Sequence, residues 1–388
     1  MIINPVYDAI IIGAGPAGST AAYITASLGL KTLIIDENSF PRDKLCGGLL
    51  TWKTIRLLES IFRTDLERLN CENIIQYQSF DYAVCSSRNR SVTGKLDFPF
   101  HFVNREKYDQ FLLNQAIDAG SHLIAGEKVV AIDCGQGKVK TNRGSTFRGK
   151  FILGADGVFS RVRSALTSGG SIDFGWKNGL ATAIEIKVSK EKYTHLRGYP
   201  SIYWGYNSWG YAWSFPGPAD QILGMCALNI KAGKQIRKCF LAFLESQSIM
   251  EDEGTRFMSH PLPYGNYLMN PGHGNILLLG DAAGLVDPFL GEGIYYAHKS
   301  AQLAATALAG SCNDPHGARQ RYTRLLRQLV IPELKYAKIG RQILFSLPRG
   351  CYFSVLTFFL RRMPKMCEQT IQGQRSFKWL ARVDEDLR

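Results

Sequence analysis

The start of the chain constrains it most. An apolar run, Tyr7-Asp8-Ala9-Ile10-Ile11-Ile12, passes directly into Gly13-Ala14-Gly15-Pro16-Ala17-Gly18. The run reads as a buried strand, residues 19–28 as an Ala-rich helix, and residues 31–36 as a second strand. Each glycine of this G-x-G-x-x-G has its own task. Gly13 turns the chain, Gly15 lets backbone approach a pyrophosphate, and Gly18 lets helix pack on strand. The pyrophosphate would rest on free N–H groups at the helix N-terminus, where the dipole favours negative charge. Ala17 lies within that turn, and Asp36, with Glu37 beside it, stands at the end of the second strand, placed for ribose hydroxyls. This first motif leaves NAD and FAD as alternatives.

Two later motifs favour FAD. Phe151-Ile152-Leu153 leads into Gly154-Ala155-Asp156-Gly157, and Ile276-Leu277-Leu278-Leu279 leads into Gly280-Asp281-Ala282-Ala283-Gly284. With the first turn, these resemble the three fingerprints of flavoproteins in the p-hydroxybenzoate hydroxylase superfamily. The resemblance implies that Asp156 belongs to the cofactor site and that Asp281 binds the ribityl chain. It places the loop 288–293, with Gly291, Gly293 and then Ile294, under the pyrimidine edge of the flavin. The helix that follows would stabilise charge at N1 of the reduced ring. Arg105 opens a helix carrying Tyr108, Phe111, Leu112 and Ala116 on one face, with Gly120 as its stop. By resemblance Arg105 meets the FAD phosphates, and Val130 lies against the adenine.

A narrower resemblance follows from Pro41-Arg42-Asp43-Lys44-Leu45-Cys46-Gly47-Gly48 and from Tyr211-Ala212-Trp213-Ser214-Phe215-Pro216 with Gly224 beyond it. Both are similar to elements of the geranylgeranyl reductase family, which reduces isolated double bonds of prenyl chains. There are two departures from its pattern: Met225-Cys226 follow Gly224, and Leu49 stands where a glycine is frequent. The resemblance adds Arg42, Cys46 and Gly47 to the flavin site and gives Cys46 a catalytic role. Strand alternation puts Tyr211, Trp213 and Phe215 on one face. That face reads either as packing against a helix near residues 234–247 or as the wall of a long apolar substrate site.

The expected fold is α/β. A Rossmann-like FAD domain (residues 1–75, 101–165 and 265–316) carries an inserted antiparallel-sheet substrate domain (76–100 and 166–264) and a helical C-terminal appendage (317–388). Hydrophobic residues at 45% and charged residues at 20% suit a chain with a real core rather than a disordered one. Charge is unevenly placed. Residues 317–388 hold fifteen Lys and Arg against five acids, a net of +10, leaving +3 of the total +13 for the rest. An anionic membrane surface is the partner this suggests, since no nucleic-acid module is recognisable. Leu325, Leu326, Leu329 and Val330 read as the apolar stripe of a helix that Pro332 must interrupt. The run 352–360, flanked by Arg349 and Arg361-Arg362, reads as an interfacial helix or a cap on a substrate tunnel.

Nine cysteines without a C-x-x-C pair argue against a zinc ribbon or disulfide framework. The histidines have no ligand spacing, so no metal is expected. No signal peptide or spanning run is read, and the expected setting is cytoplasmic with a peripheral membrane contact. The expected activity is reduction of carbon–carbon double bonds in a prenyl lipid, quinone or related apolar molecule. The chain lacks a second G-x-G-x-x-G, so electrons would come from transiently docked NAD(P)H or from a protein donor. The alternative is a flavin monooxygenase, either a hydroxylase or a halogenase. Halogenases resemble W-x-W-x-I-P at the aromatic strand, which Tyr211 and Phe215 break.

Overall fold

The computed structural model describes residues 6–168, 176–229, 235–250, 255–311 and 314–379. Strand Val6–Ile12 lies inside a sheet, paired in parallel with Thr32–Asp36 on one side and Thr146–Gly154 on the other. Ala9 to Ile12 are buried, as an uninterrupted apolar run in a sheet covered on both faces demands. Ile276–Leu278 and His122–Ala125 extend the sheet at its two sides, and the hairpin Val129–Asp133/Lys138–Thr141 continues from Thr146–Gly154. Helix Pro16–Ser27 packs against helices Arg105–Asp118 and Ile294–Ala309. Ala17, Ala21 and Ala22 meet Ala297, Ala301 and Ala304 in one core, and such small side chains let the helices approach closely.

A second sheet runs in the order Met258–Pro263, Leu180–Ser189, Asp220–Leu228, Gly210–Pro216, Ser201–Trp204, Ile75–Ser86, Ser91–Val103, Leu49–Leu50. Its pairs are antiparallel except Ser201–Trp204 with Ile75–Ser86. The sheet takes in residues 49–50 and continues to 103, beyond the expected 76–100. One face carries Ile184, Ile186, Tyr203 and Ala212 onto Phe240, Phe243 and Leu244 of helix Ile236–Ser246. Tyr211, Trp213 and Phe215 point the other way. The helix therefore packs on the face opposite these aromatics, and residue 234 of the expected helix lies outside the described residues.

The C-terminal region supplies helices Pro315–Leu329, Ile331–Ser346, Tyr352–Arg362 and Pro364–Ile371. Pro332 falls in the first turn of the second helix, where its missing N–H costs no helical bond. The expected stripe needs one correction. Ala318, Tyr322 and Leu326 recur at four-residue spacing and are buried, whereas Leu329 is exposed. No single helix among the described residues is long and apolar enough to cross a membrane. The pair Ile331–Ser346 and Arg349–Arg362 passes together by length and composition, but bends by 113°.

Candidate functional site

The glycine turn has the shape that its sequence implies. A Cβ on Gly18 would stand 1.8 Å from the Gly13 carbonyl oxygen, so helix and turn close only without one. Gly13 adopts φ +99°, which glycine takes without strain. At Gly15 a Cβ would meet only the Arg42 guanidinium, at 3.3 Å. Open space above Gly15, capped by a cation, is what a pyrophosphate needs. Asp36 is buried. Its carboxylate accepts from Ala14 N at 2.7 Å and Asn38 N at 2.8 Å, which ties the turn to the neighbouring strand. Glu37, half exposed and ion-paired with Lys128, is the freer carboxylate at this strand end.

Two of the expected cofactor residues also have partners within the protein. Asp156 accepts from Arg161 N at 2.7 Å and caps helix Arg161–Ser168, leaving one buried carboxylate oxygen unpartnered. Arg105 is tied to its own helix. It donates twice to buried Asp109, at 2.9 Å each, and its guanidinium lies beside the Cys46 sulfur. Burial works against the Arg105 charge, but Asp109 and Cys46 override it and hold the group above its ordinary range. Arg42, bonded to the same Asp109 at 3.0 Å, is the cation over Gly15. The reason is geometric: Asp109, one turn into the helix, holds Arg105 back against its own helix. Val130 is 44% exposed, at a bulge between Val129 and Ala131.

Asp281 follows strand Ile276–Leu278, and its carboxylate has no hydrogen-bond or ion-pair partner among the described residues. Burial raises its pKa, while the charges of Lys44 and Arg105 pull it down. A Cβ on Gly293 would lie 3.5 Å from its Oδ1, so Asp281 faces the loop before helix Ile294–Ala309. That loop is braced from behind. Asp287 accepts from Phe289 N at 2.7 Å and Leu290 N at 2.8 Å. Glu292 pairs with Lys53 at 2.6 Å and accepts from Thr51 and Thr54. Burial pushes Asp287 up to about 6, against the opposing Lys53 charge. Burial alone would lower Lys53, but Glu292 holds it above the ordinary lysine range. This brace was not foreseen, because Lys53 and Glu292 lie far apart in the chain.

Beyond the loop opens a cavity of about 550 Å³. Its floor is Cys46, Gly47 and the stretch Leu290–Ile294. Tyr211, Trp213 and Phe215 line it, as do Val355, Leu356, Phe359 and Leu360 of helix Tyr352–Arg362. The C-terminal appendage is thus a cap on the cavity. Gly47 is required by Phe215, whose ring would lie 2.5 Å from any Cβ there. Cys46 Sγ accepts from Gly48 N at 3.4 Å. A buried carboxyl also lines the wall: Glu185, which the sequence reading passed over.

The open turn at Gly15 and the unpartnered Asp281 across from it suit the pyrophosphate and ribityl parts of FAD. A model of the FAD binding domain family matches residues 6–199. The chain belongs to that family, within the geranylgeranyl reductase group of FAD-dependent oxidoreductases. This flavoprotein is 31% identical to an uncharacterized protein of Methanosarcina barkeri, over 90% of this chain and 86% of that one. It is 28% identical to a geranylgeranyl diphosphate reductase of Rhodobacter capsulatus, over 78% and 74% of the two chains. A menaquinone reductase of Mycobacterium tuberculosis is 26% identical, over 79% and 78%. The fold is that of a geranylgeranyl bacteriochlorophyll reductase-like protein of Thermoplasma acidophilum, with a TM-score of 0.79, 19% identity, and coverage of 95% and 99%. It is shared with the flavin-dependent brominase Bmp2, at a TM-score of 0.72, 17% identity, and coverage of 99% for both.

Proposed function

We propose that this oxidoreductase reduces carbon–carbon double bonds in a prenyl chain borne by a lipid, quinone or related apolar molecule. One observation carries the reading. The cavity beside the flavin loop is walled by apolar and aromatic side chains from Cys46 outward to the C-terminal helices. Ile343 lines it and is 56% exposed, so it opens to the surface there. Such a space suits a flexible hydrocarbon better than a small polar aromatic ring. Relatives named geranylgeranyl diphosphate reductase and menaquinone reductase support the same substrate class.

Bound FAD, once reduced, supplies the hydride. The residues of the chain do the rest. Gly13, Gly15, Ala17 and Gly18 with Arg42 hold the pyrophosphate, Asp36 and Glu37 serve the ribose end, Val130 faces the adenine, and Asp281 takes the ribityl hydroxyls. Asp156 fixes the helix start behind the turn, and Arg105 positions Cys46. Gly291, Gly293 and Ile294 present backbone to the flavin edge, while Tyr211, Trp213 and Phe215 align the alkene and exclude water. An unactivated alkene has no carbonyl to take up charge, so alignment and dryness matter more than usual. Electrons enter from NAD(P)H or a protein donor. Exposed Phe358, with Arg349, Arg361 and Arg362, gives helix Tyr352–Arg362 and its flanks an apolar and basic surface suited to anionic lipid.

The test is to extract the lipid retained by the purified yellow protein. Its mass is compared before and after anaerobic reduction of the enzyme. Gain of two hydrogens per double bond is the expected result. Oxygen-dependent insertion of oxygen or halogen into a substrate would overturn the reading.

A further inference from the structure

We infer that Glu185 is the acid that gives a proton to the alkene inside the cavity. This rests on the prenyl-reductase reading and adds a catalytic residue to it. Along strand Leu180–Ser189, Ile184 and Ile186 turn toward the helix-side core, while Ala183 and Glu185 turn into the cavity. Glu185 is 2% exposed. Its place is built. Trp213, Gly224 and Glu185 stand opposite one another on three neighbouring strands. A Cβ on Gly224 would lie 2.3 Å from the Trp213 ring and 2.7 Å from Glu185 Cγ. Only glycine lets the indole and the carboxyl share that row.

Three other polar groups on the cavity wall are committed elsewhere. Glu292 is held by Lys53, Thr51 and Thr54, and the Tyr211 hydroxyl donates to the Leu290 carbonyl. Cys46 Sγ is met by donors, Gly48 N–H and the Arg105 guanidinium. Glu185 has no ion-pair partner among the described residues. Burial pushes its pKa up to about 8, and the Trp213 indole and Arg105 offset that only in part, so the carboxyl keeps its proton at neutral pH. Met258 lies directly opposite on the next strand. Two register positions along, opposite Ala183, is His260, held by Lys44 at 2.8 Å. That half-buried pair offers a polar route for the returning proton.

In the step, the Glu185 O–H bond breaks as a C–H bond forms at one alkene carbon, using the π electrons. The other carbon accepts hydride from reduced FAD. The alkene gains two electrons and the flavin loses two, and solvent restores the Glu185 proton. General acid catalysis of this kind is worth roughly 10²- to 10⁴-fold.

The experiment uses the FAD-loaded protein, reduced with dithionite under anaerobic conditions and mixed with geranylgeranyl diphosphate or menaquinone. Flavin reoxidation and product mass are followed for wild type, Glu185→Gln and Glu185→Asp. In parallel, infrared spectra of the FAD-free protein at pH 7 report the protonated-carboxyl band. We expect Glu185→Gln to reoxidise at least about 100-fold more slowly with unchanged FAD affinity. Glu185→Asp should restore part of the rate, and the infrared band should vanish in Glu185→Gln. An active wild type with an equally active Glu185→Gln, or a Glu185 ionised at pH 7, would overturn the assignment alone. A flavin-loaded wild type inert toward both probes would instead overturn the prenyl reading, and the assignment with it.

Discussion

Alanine at Gly15 and alanine at Gly18 separate cofactor binding from folding, although both lie in one six-residue turn. At Gly15 the backbone has φ −72°, which alanine adopts freely, and its Cβ would touch only the mobile end of Arg42 at 3.3 Å. Reduced chain entropy in the unfolded state favours the alanine by about 0.4–1 kcal/mol, while loss of a good N-cap residue opposes it by a similar amount. The apo fold should therefore barely change. The added methyl occupies the space through which phosphate approaches the backbone. Loss of one charge-assisted hydrogen bond, about 1.5–3 kcal/mol, weakens FAD by about 10- to 150-fold. At Gly18 the Cβ falls 1.8 Å from a backbone oxygen that cannot move without opening the turn. That substitution should cost about 4 kcal/mol or more of stability. Urea unfolding of the apo proteins and fluorescence titration with FAD measure the two quantities. Wild-type FAD affinity in Gly15→Ala, or wild-type stability in Gly18→Ala, would refute the reasoning.

Asp281→Asn should raise the FAD dissociation constant by about tenfold or more. Since burial raises the Asp281 pKa, its ionised form is better accommodated unfolded. The apo variant should therefore gain stability at neutral pH, as calorimetry would show. Lys53→Met leaves Glu292 and Asp287 without their cation and should cost about 3–5 kcal/mol in denaturant unfolding. The loss should shrink as pH falls through about 6, because protonated Asp287 no longer needs the cation. Leu356→Trp fills the outer cavity and should shift turnover toward shorter prenyl chains at unchanged FAD affinity, seen by comparing C10 and C20 substrates. Cys46→Ser should slow flavin reoxidation with FAD still bound, measured by stopped flow.

The flavin fold was legible because its signals are local. An apolar run, three spaced glycines and an acid at the next strand end lie within residues 7–37, and each acts through neighbouring backbone. The aromatic row Tyr211, Trp213 and Phe215 was legible for the same reason, since strand alternation alone puts them on one face. The pairing of Arg105 with Asp109, and the arrival of Arg42, far upstream, at the same carboxylate, were not legible in the sequence.

The sequence by itself determined the backbone scaffold, since steric rules at glycines and the two-residue period of strands need no distant partner. Tertiary structure alone decided which polar groups are paired, which are buried and what each faces. Glu185 sits between two isoleucines in a strand and is silent in one dimension. Its pKa is raised because the folded chain buries it. Burial is a property of the whole packing, contributed by segments more than 150 residues apart, and no local pattern encodes it.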